Sequence, residues 1–303
     1  MMVRSDRIAL AAEIACLLEV SAPKPGNVTR FADFSDTRYI DFLASAAIIG
    51  TVLRKAARAT TGSLILEIVQ ETARGVGKNT NLGIALLFAP LAKAALLGGR
   101  RSLRRRLHAV LASLTSRDGQ MVYEAIRLAS PGGLGGVEEF DVRTTRGTVP
   151  LLPAMRLAMD RDSIAREYAT GFEITFSIAA PALEKCLRES GDPEASVVQT
   201  FLTLLSGIPD SLIARKCGNP EAGRVSQQAG AILAGGGAFS DKGRRRLARW
   251  DRSLRKEGNR LNPGTTADLT AVALFAVMLQ EGVEFVLQNP GKSSMGRQSR
   301  GGC

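Results

Sequence analysis

Arg260-Leu261-Asn262-Pro263-Gly264-Thr265-Thr266-Ala267-Asp268-Leu269 is the stretch whose reading decides the architecture of this chain. Pro263 fixes its own φ and Gly264 tolerates left-handed conformations, so Asn262-Pro263-Gly264 predicts a turn. Behind the turn, Thr265 or Thr266 is placed to cap a helix. Asp268 then falls in the first turn, where a carboxylate suits the positive end of the helix dipole. From Leu269 to Leu287 the chain reads as one long apolar helix, with Val272, Ala273, Phe275, Val277 and Met278 available for core. A polar turn at the mouth of a buried helix offers N–H groups to phosphate or to a metal-bound ligand. Taken alone, an ordinary capped helix accounts for the stretch. Two other polar turns of the same construction change that balance.

The first is Ser21-Ala22-Pro23-Lys24-Pro25-Gly26-Asn27-Val28, which stops a helix predicted over Ile8 to Val20. Two prolines and a glycine make a stiff loop that can hold Lys24 in one direction. Thr29 to Asp36 follows, placing Arg30 with the carboxylates of Asp33 and Asp36, and Asp36 or Thr37 is expected to cap the next helix. The second is Gly75-Val76-Gly77-Lys78-Asn79-Thr80-Asn81-Leu82-Gly83, between a helix over Leu64 to Ala73 and an apolar one over Ile84 to Leu97. It lacks the spacing of a P-loop and no strand precedes it, which excludes that motif. A further polar cluster, Asp210-Ser211-Leu212-Ile213-Ala214-Arg215-Lys216, reads as a short helix capped by Asp210.

The remaining chain is helical by pattern. Helices are expected over Ser102 to Leu114, Asp118 to Ala129, most of Met155 to Arg188 with a break near Thr170-Gly171, Pro193 to Gly207, Glu221 to Ala234 and Asp241 to Lys256. Ser130 to Gly136 reads as a flexible, glycine-rich linker, and Val142 to Pro153 as the one strand-like passage. The polar, glycine-rich residues after Gln288 read as a disordered tail. Roughly a dozen helices, without a fixed-period repeat or a clear linker between domains, predict a single all-α domain over residues 1–288, with 289–303 outside it.

Composition agrees. Of the 303 residues 45% are hydrophobic but only 5% aromatic, a palette of alanine, leucine and glycine that suits close-packed helices. No uncharged run has transmembrane length and the N-terminus has no signal-peptide layout, so a soluble, cytoplasmic protein without membrane contact is expected. Cys16, Cys186, Cys217 and Cys303 have no metal-ligand spacing and read as free thiols. The net charge of +11 raises nucleic acid as a partner. The arginines of 100–106 and 244–249 have no interleaved aromatics, however, so a solvated helix face explains them better than base stacking. His108 reads as a surface residue.

The polar turns, in this order and at these intervals, resemble the ATP:dephospho-CoA triphosphoribosyltransferase family. Pro23-Lys24-Pro25-Gly26-Asn27-Val28 is similar to its PKPGLV motif and Asn79-Thr80-Asn81-Leu82-Gly83 to NTHKG. Asp210 to Arg215 is similar to a segment ending in arginine, and Asn262-Pro263-Gly264-Thr265-Thr266-Ala267-Asp268-Leu269 to SPGGSADL. The likeness spans about Glu19 to Leu279. It departs at Asn81 and Leu82, which stand where the family has histidine and lysine, and at Phe34-Ser35-Asp36, where a histidine usually precedes the aspartate.

The resemblance implies an all-helical, Mg²⁺-dependent enzyme with small-molecule substrates. ATP would lose adenine and pass its triphosphoribosyl group to a ribose hydroxyl of dephospho-CoA, through an oxocarbenium-like state. On that reading Lys24, Arg30, Lys78 and Arg215 are expected to contact phosphates. Asp33, Asp36 and Asp268 supply the catalytic carboxylates, and Asp210 and Asp268 hold Mg²⁺. Asn27, Asn79, Thr80, Asn262, Gly264 and Thr265 orient sugar or phosphate. Two other readings make different predictions: a phosphoribosyl transfer to another acceptor in the biosynthesis of a methanopterin-type coenzyme, and a basic helical scaffold for nucleic acid or an acidic partner.

Overall fold

The computed structural model describes residues 3–132, 139–145, 147 and 149–288. Gly133 to Gly136 of the glycine-rich loop and the tail 289–303 lie outside the described residues. Most of the described residues are helical: α1 Arg4–Ser21, α2 Tyr39–Leu53, α3 Thr61–Gly75, α4 Leu82–Leu97, α5 Leu103–Ala112, α6 Ser116–Ala129, α7 Leu151–Ala158 and α8 Ser163–Thr170. They are followed by α9 Ala180–Ser190, α10 Pro193–Gly207, α11 Ser211–Cys217, α12 Asn219–Ala234, α13 Asp241–Leu254, α14 Gly264–Glu281 and α15 Val283–Leu287. Among the described residues there is no strand, only an isolated bridge between Thr29 and Ala32. The all-α class is as expected.

Two helices form the centre. Leu82 to Ala92 of α4 and Leu269 to Met278 of α14 are buried almost without interruption. A helix that is apolar all round must be covered on every side. Helix α4 meets α1, α3, α5 and α14, while α14 meets α1, α9, α10 and α11. At their crossing Phe88 stacks on Phe275 with ring centroids 4.4 Å apart. Pro90 inside α4 has no N–H to give the Leu86 carbonyl, which accepts instead from Tyr168 Oη at 2.6 Å.

The structure corrects four local readings. Thr265 and Thr266 are not caps: α14 begins a residue earlier at Gly264, behind Pro263, which leaves Asp268 in its second turn. The apolar run does not continue to Leu287 as one helix, because Gly282 (φ 95°) ends α14 before the short α15. The cap of α2 is Arg38, not Asp36 or Thr37, since the Asp41 carboxylate accepts the Arg38 N–H at 2.8 Å. Val142 to Pro153 holds no strand among its described residues. Tyr123 Oη and Arg127 Nη1 donate to the carbonyls of Phe140 (2.7 Å) and Val142 (3.0 Å), satisfying a turn that has no strand partner. Leu151 already opens α7, with Pro150 at its cap.

Among the described residues no single helix is long and apolar enough to cross a membrane. Only α10 and α11 together reach that criterion, and they are bent by 55° at their junction.

Candidate active site

The polar turns converge on one cavity of about 900 Å³, within the usual range for a small-molecule site. Its wall takes Glu19 from the end of α1, Asn27 and Asp36 from the following loop, and Asn79 to Gly83 from the turn before α4. The wall also takes Asp162 before α8, Leu212, Arg215 and Lys216 of α11, and Asn262, Gly264, Thr265 and Asp268 around the start of α14. Tyr123 and Ile126 of α6 with Leu151 and Met155 of α7 add an apolar side. Helices α4 and α14 both point their N-termini here, and neither carries a side-chain cap at its N-cap residue. Their first-turn N–H groups and positive dipole ends favour an anion.

Asp268 is the focus. No hydrogen bond or ion pair to either of its oxygens exists among the described residues. The first turn of α4 leaves room for it at Gly83, where a Cβ would overlap Asp268 Oδ2. Burial, with the carboxylates of Glu19, Asp210 and Asp162 nearby, pushes the Asp268 carboxyl well above the usual range, and Arg215 opposes that rise. Accumulated negative charge without a donor is costly in a folded interior. It suits a group that must take up a proton or meet a cation.

Asp210 has the opposite setting. It is 2% exposed and is not part of the cavity wall. Its Oδ1 accepts the N–H groups of Leu212 (2.9 Å) and Ile213 (3.0 Å), capping α11 as expected. Its Oδ2 accepts both the N–H and the hydroxyl of Thr266 at 2.7 Å. Burial raises its carboxyl while those four donors pull it down. With its lone pairs taken, Asp210 has no oxygen to offer a metal: the expected ligand is a brace between α11 and α14.

Four other predicted residues are likewise not at the cavity, each held by a partner. Lys24 is 1% exposed, its ammonium 3.0 Å from the Glu19 carboxylate and donating to the carbonyls of Glu19 and Ala22. The stiff Pro-Lys-Pro loop does fix its direction, but inward. Exposed Arg30 pairs with Glu194 at 2.6 Å and lies over the Phe31 ring. Asp33 accepts the Tyr39 N–H at 2.7 Å on the exposed entry to α2. Lys78 pairs with Asp41 at 3.0 Å.

The other predicted residues are brought together. Asn27 is buried with its amide on the Pro25 carbonyl (3.2 Å), and Asp36 accepts from the Asn259 amide (3.0 Å). Asn79 Oδ1 accepts the Leu82 N–H (3.2 Å), Thr80 shares a hydrogen bond with Ser45, and Thr265 accepts from Ser211 (3.1 Å). Arg215 pairs with Asp162 at 2.8 Å, while Asn262 Oδ1 is buried with no hydrogen-bond partner. An unsatisfied amide oxygen in a cavity wall is a ready acceptor for a ligand donor.

Sequence reading missed Glu19 and Asp162. Glu19 lies inside a helix pattern and Asp162 in an Asp-Ser pair that reads as a cap, which it is: its Oδ1 accepts from Ile164 and Ala165. His108 is exposed and its ring covers Gly171, away from the cavity.

The family model described as CitG, ATP:dephospho-CoA triphosphoribosyl transferase, matches residues 5–286. The chain belongs to this family. Its fold is also that of a crystal structure from Archaeoglobus fulgidus, provisionally assigned as a triphosphoribosyl-dephospho-CoA synthase. The likeness has a TM-score of 0.60 at 27% identity and covers 78% of this chain and 97% of that one. The 2-(5''-triphosphoribosyl)-3'-dephosphocoenzyme-A synthase of Klebsiella pneumoniae is 31% identical over 121 residues, which is 40% of this chain and 39% of the relative. The enzyme of that name from Pectobacterium atrosepticum is 31% identical over 106 residues, 35% of this chain and 33% of the relative. The matched stretches thus span less than half of these curated family members.

Proposed function

We propose that the chain transfers the triphosphoribosyl group of ATP to a ribose hydroxyl of 3'-dephospho-CoA, with release of adenine. The observation that carries the reading is the convergence of the family's polar turns on one cavity around an unpartnered Asp268. In the reaction the bond from the ribose anomeric carbon to adenine breaks, and a bond from that carbon to the acceptor oxygen forms. Adenine leaves with the bonding electron pair and takes up one proton from water, and the acceptor hydroxyl gives up one proton, so the exchange balances. Asp268 takes that proton: a carboxyl held above its ordinary range is a better base near neutral pH than a free aspartate. The N-terminal ends of α4 and α14, with Arg215, face the phosphates. Asn262 Oδ1 accepts from a sugar hydroxyl or the base.

Mg²⁺ was expected on Asp210 and Asp268. Among the described residues no three His, Cys, Asp or Glu side chains are grouped to hold an ion, and Asp210 does not fit, its oxygens being occupied. An ion carried by a triphosphate needs only one or two carboxylates, with water and phosphate oxygens completing its shell. One oxygen of Asp268 fits that role, since Glu19 is already paired with the Lys24 ammonium. When bound it would neutralise triphosphate charge.

The test is to incubate the purified protein with Mg²⁺, ATP and dephospho-CoA and to follow adenine by chromatography. Adenine release that requires dephospho-CoA supports the reading. Absence of release across a broad range of both substrates sinks it.

A further inference from the structure

The cations of the cavity wall are not equivalent. Arg215 is neutralised by Asp162 and Arg143 by Asp141, each at 2.8 Å, and Arg161 is exposed. Lys216 is half-buried, and among the described residues no carboxylate lies within ion-pair distance of it. Its ammonium donates to one carbonyl, that of Asn259, at 3.1 Å. Burial pulls its pKa below the ordinary lysine value; Cys217, Asp36 and Asp210 oppose this and Arg215 adds to it, with no carboxylate in contact. A partly desolvated ammonium with one neutral partner has spare donors and unbalanced charge.

Its position is fixed. Leu212, Arg215 and Lys216 stand at i, i+3 and i+4 of α11, so they share the face that lines the cavity. Gly132 packs beside the lysine stem, where a Cβ would sit 3.5 Å from Lys216 Cε. Elsewhere in the wall, Asn79-Thr80-Asn81-Leu82-Gly83 contributes no charge, while Asp36 and Asp268 have no cation paired with them among the described residues and repel an anion. In such a wall a phosphate is drawn most strongly to the cation with no carboxylate beside it, and Lys216 adds that charge to the donors of Arg215.

We propose that Lys216 is the residue that grips a phosphate group of a nucleotide substrate, setting affinity without touching the reacting carbon. This rests on the reaction proposed above. The shared chemistry is a nucleotide polyphosphate, and the two sources are the triphosphate of ATP and the diphosphate of dephospho-CoA.

Equilibrium binding of each nucleotide, measured separately by titration calorimetry with Mg²⁺ present, distinguishes them. In Lys216→Met, affinity for one nucleotide falls about tenfold or more, the scale of one charge-assisted hydrogen bond, while Lys216→Arg keeps most of it. Loss on ATP assigns Lys216 to the donor, and loss on dephospho-CoA to the acceptor. Unchanged affinity for both in Lys216→Met, at unaltered melting temperature, overturns the inference, as does failure of the wild-type protein to bind either. Wild-type protein that binds with this Lys216 dependence but releases no adenine breaks the proposed reaction and leaves Lys216 as a phosphate-binding residue.

Discussion

The crossing of α11 with α14 and the cavity wall between α4 and α14 lie within a few residues of each other, and each is built around an aspartate. At the crossing, Asp210 is sealed in and accepts four hydrogen bonds. At the wall, Asp268 accepts none among the described residues and faces further carboxylates. Sequence alone makes them look alike, since both follow a turn and both open a helix. The difference is one of satisfaction. A buried carboxylate with every lone pair used holds elements together; one left without donors is a cost to the fold and persists where chemistry uses it.

The sharpest way to break the comparison is at the brace. Asp210→Ala removes the α11 cap and leaves the Thr266 N–H and hydroxyl without their acceptor, so a loss of about 3 kcal/mol in unfolding free energy is expected. Urea denaturation measures it; a variant as stable as wild type would show that the four bonds do not hold the crossing.

A third carboxylate refines the rule. Glu167 is fully buried and accepts the N–H groups of Ile174 (2.9 Å) and Thr175 (2.8 Å) with the Thr175 hydroxyl, yet burial lifts its carboxyl from 4.5 to about 7. Between those values the native state keeps a proton that the unfolded chain releases. Stability therefore falls as pH rises through that window, by on the order of 3 kcal/mol at most from this group. Unfolding free energies at acid and neutral pH should show that slope, and Glu167→Gln should flatten it. An identical slope in the variant would assign the effect elsewhere.

Gly83 offers a smaller test from the wall. A Cβ there would overlap Asp268 Oδ2 and reach Ile164 Cδ1 at 2.8 Å, so Gly83→Ala must move the carboxylate. We expect roughly tenfold slower adenine release from the misplaced carboxylate. Stability should hardly change, because alanine favours the helix by up to about 1 kcal/mol against the contact it creates. Unimpaired release would show that the position of Asp268 is not critical.

Much of the fold was legible. Helix patterns, Pro193 at the start of α10 and Gly207 at its end follow from local chemistry and stand as predicted. The polar turns likewise marked the place of the cavity. What sequence could not supply was the direction of side chains. Lys24 sits on the most recognisable turn yet points into the protein, because Glu19, five residues earlier on α1, is there to receive it. Asp36 and Asp33 are three residues apart, but only Asp36 reaches the cavity, since the entry to α2 claims Asp33. The strand-like passage near Val142 failed because apolar spacing cannot reveal that Tyr123 and Arg127 take its carbonyls.

The claim that Asp268 is the working carboxylate of the cavity has one direct measurement. Asp268→Asn keeps the shape and removes the charge and the basicity. Adenine release with Mg²⁺, ATP and dephospho-CoA, followed beside thermal melting of the same preparation, should fall by about a hundredfold or more, with a melting temperature equal to or above that of wild type. Release within a fewfold of wild type, or a loss explained by a lowered melting temperature, would contradict the account.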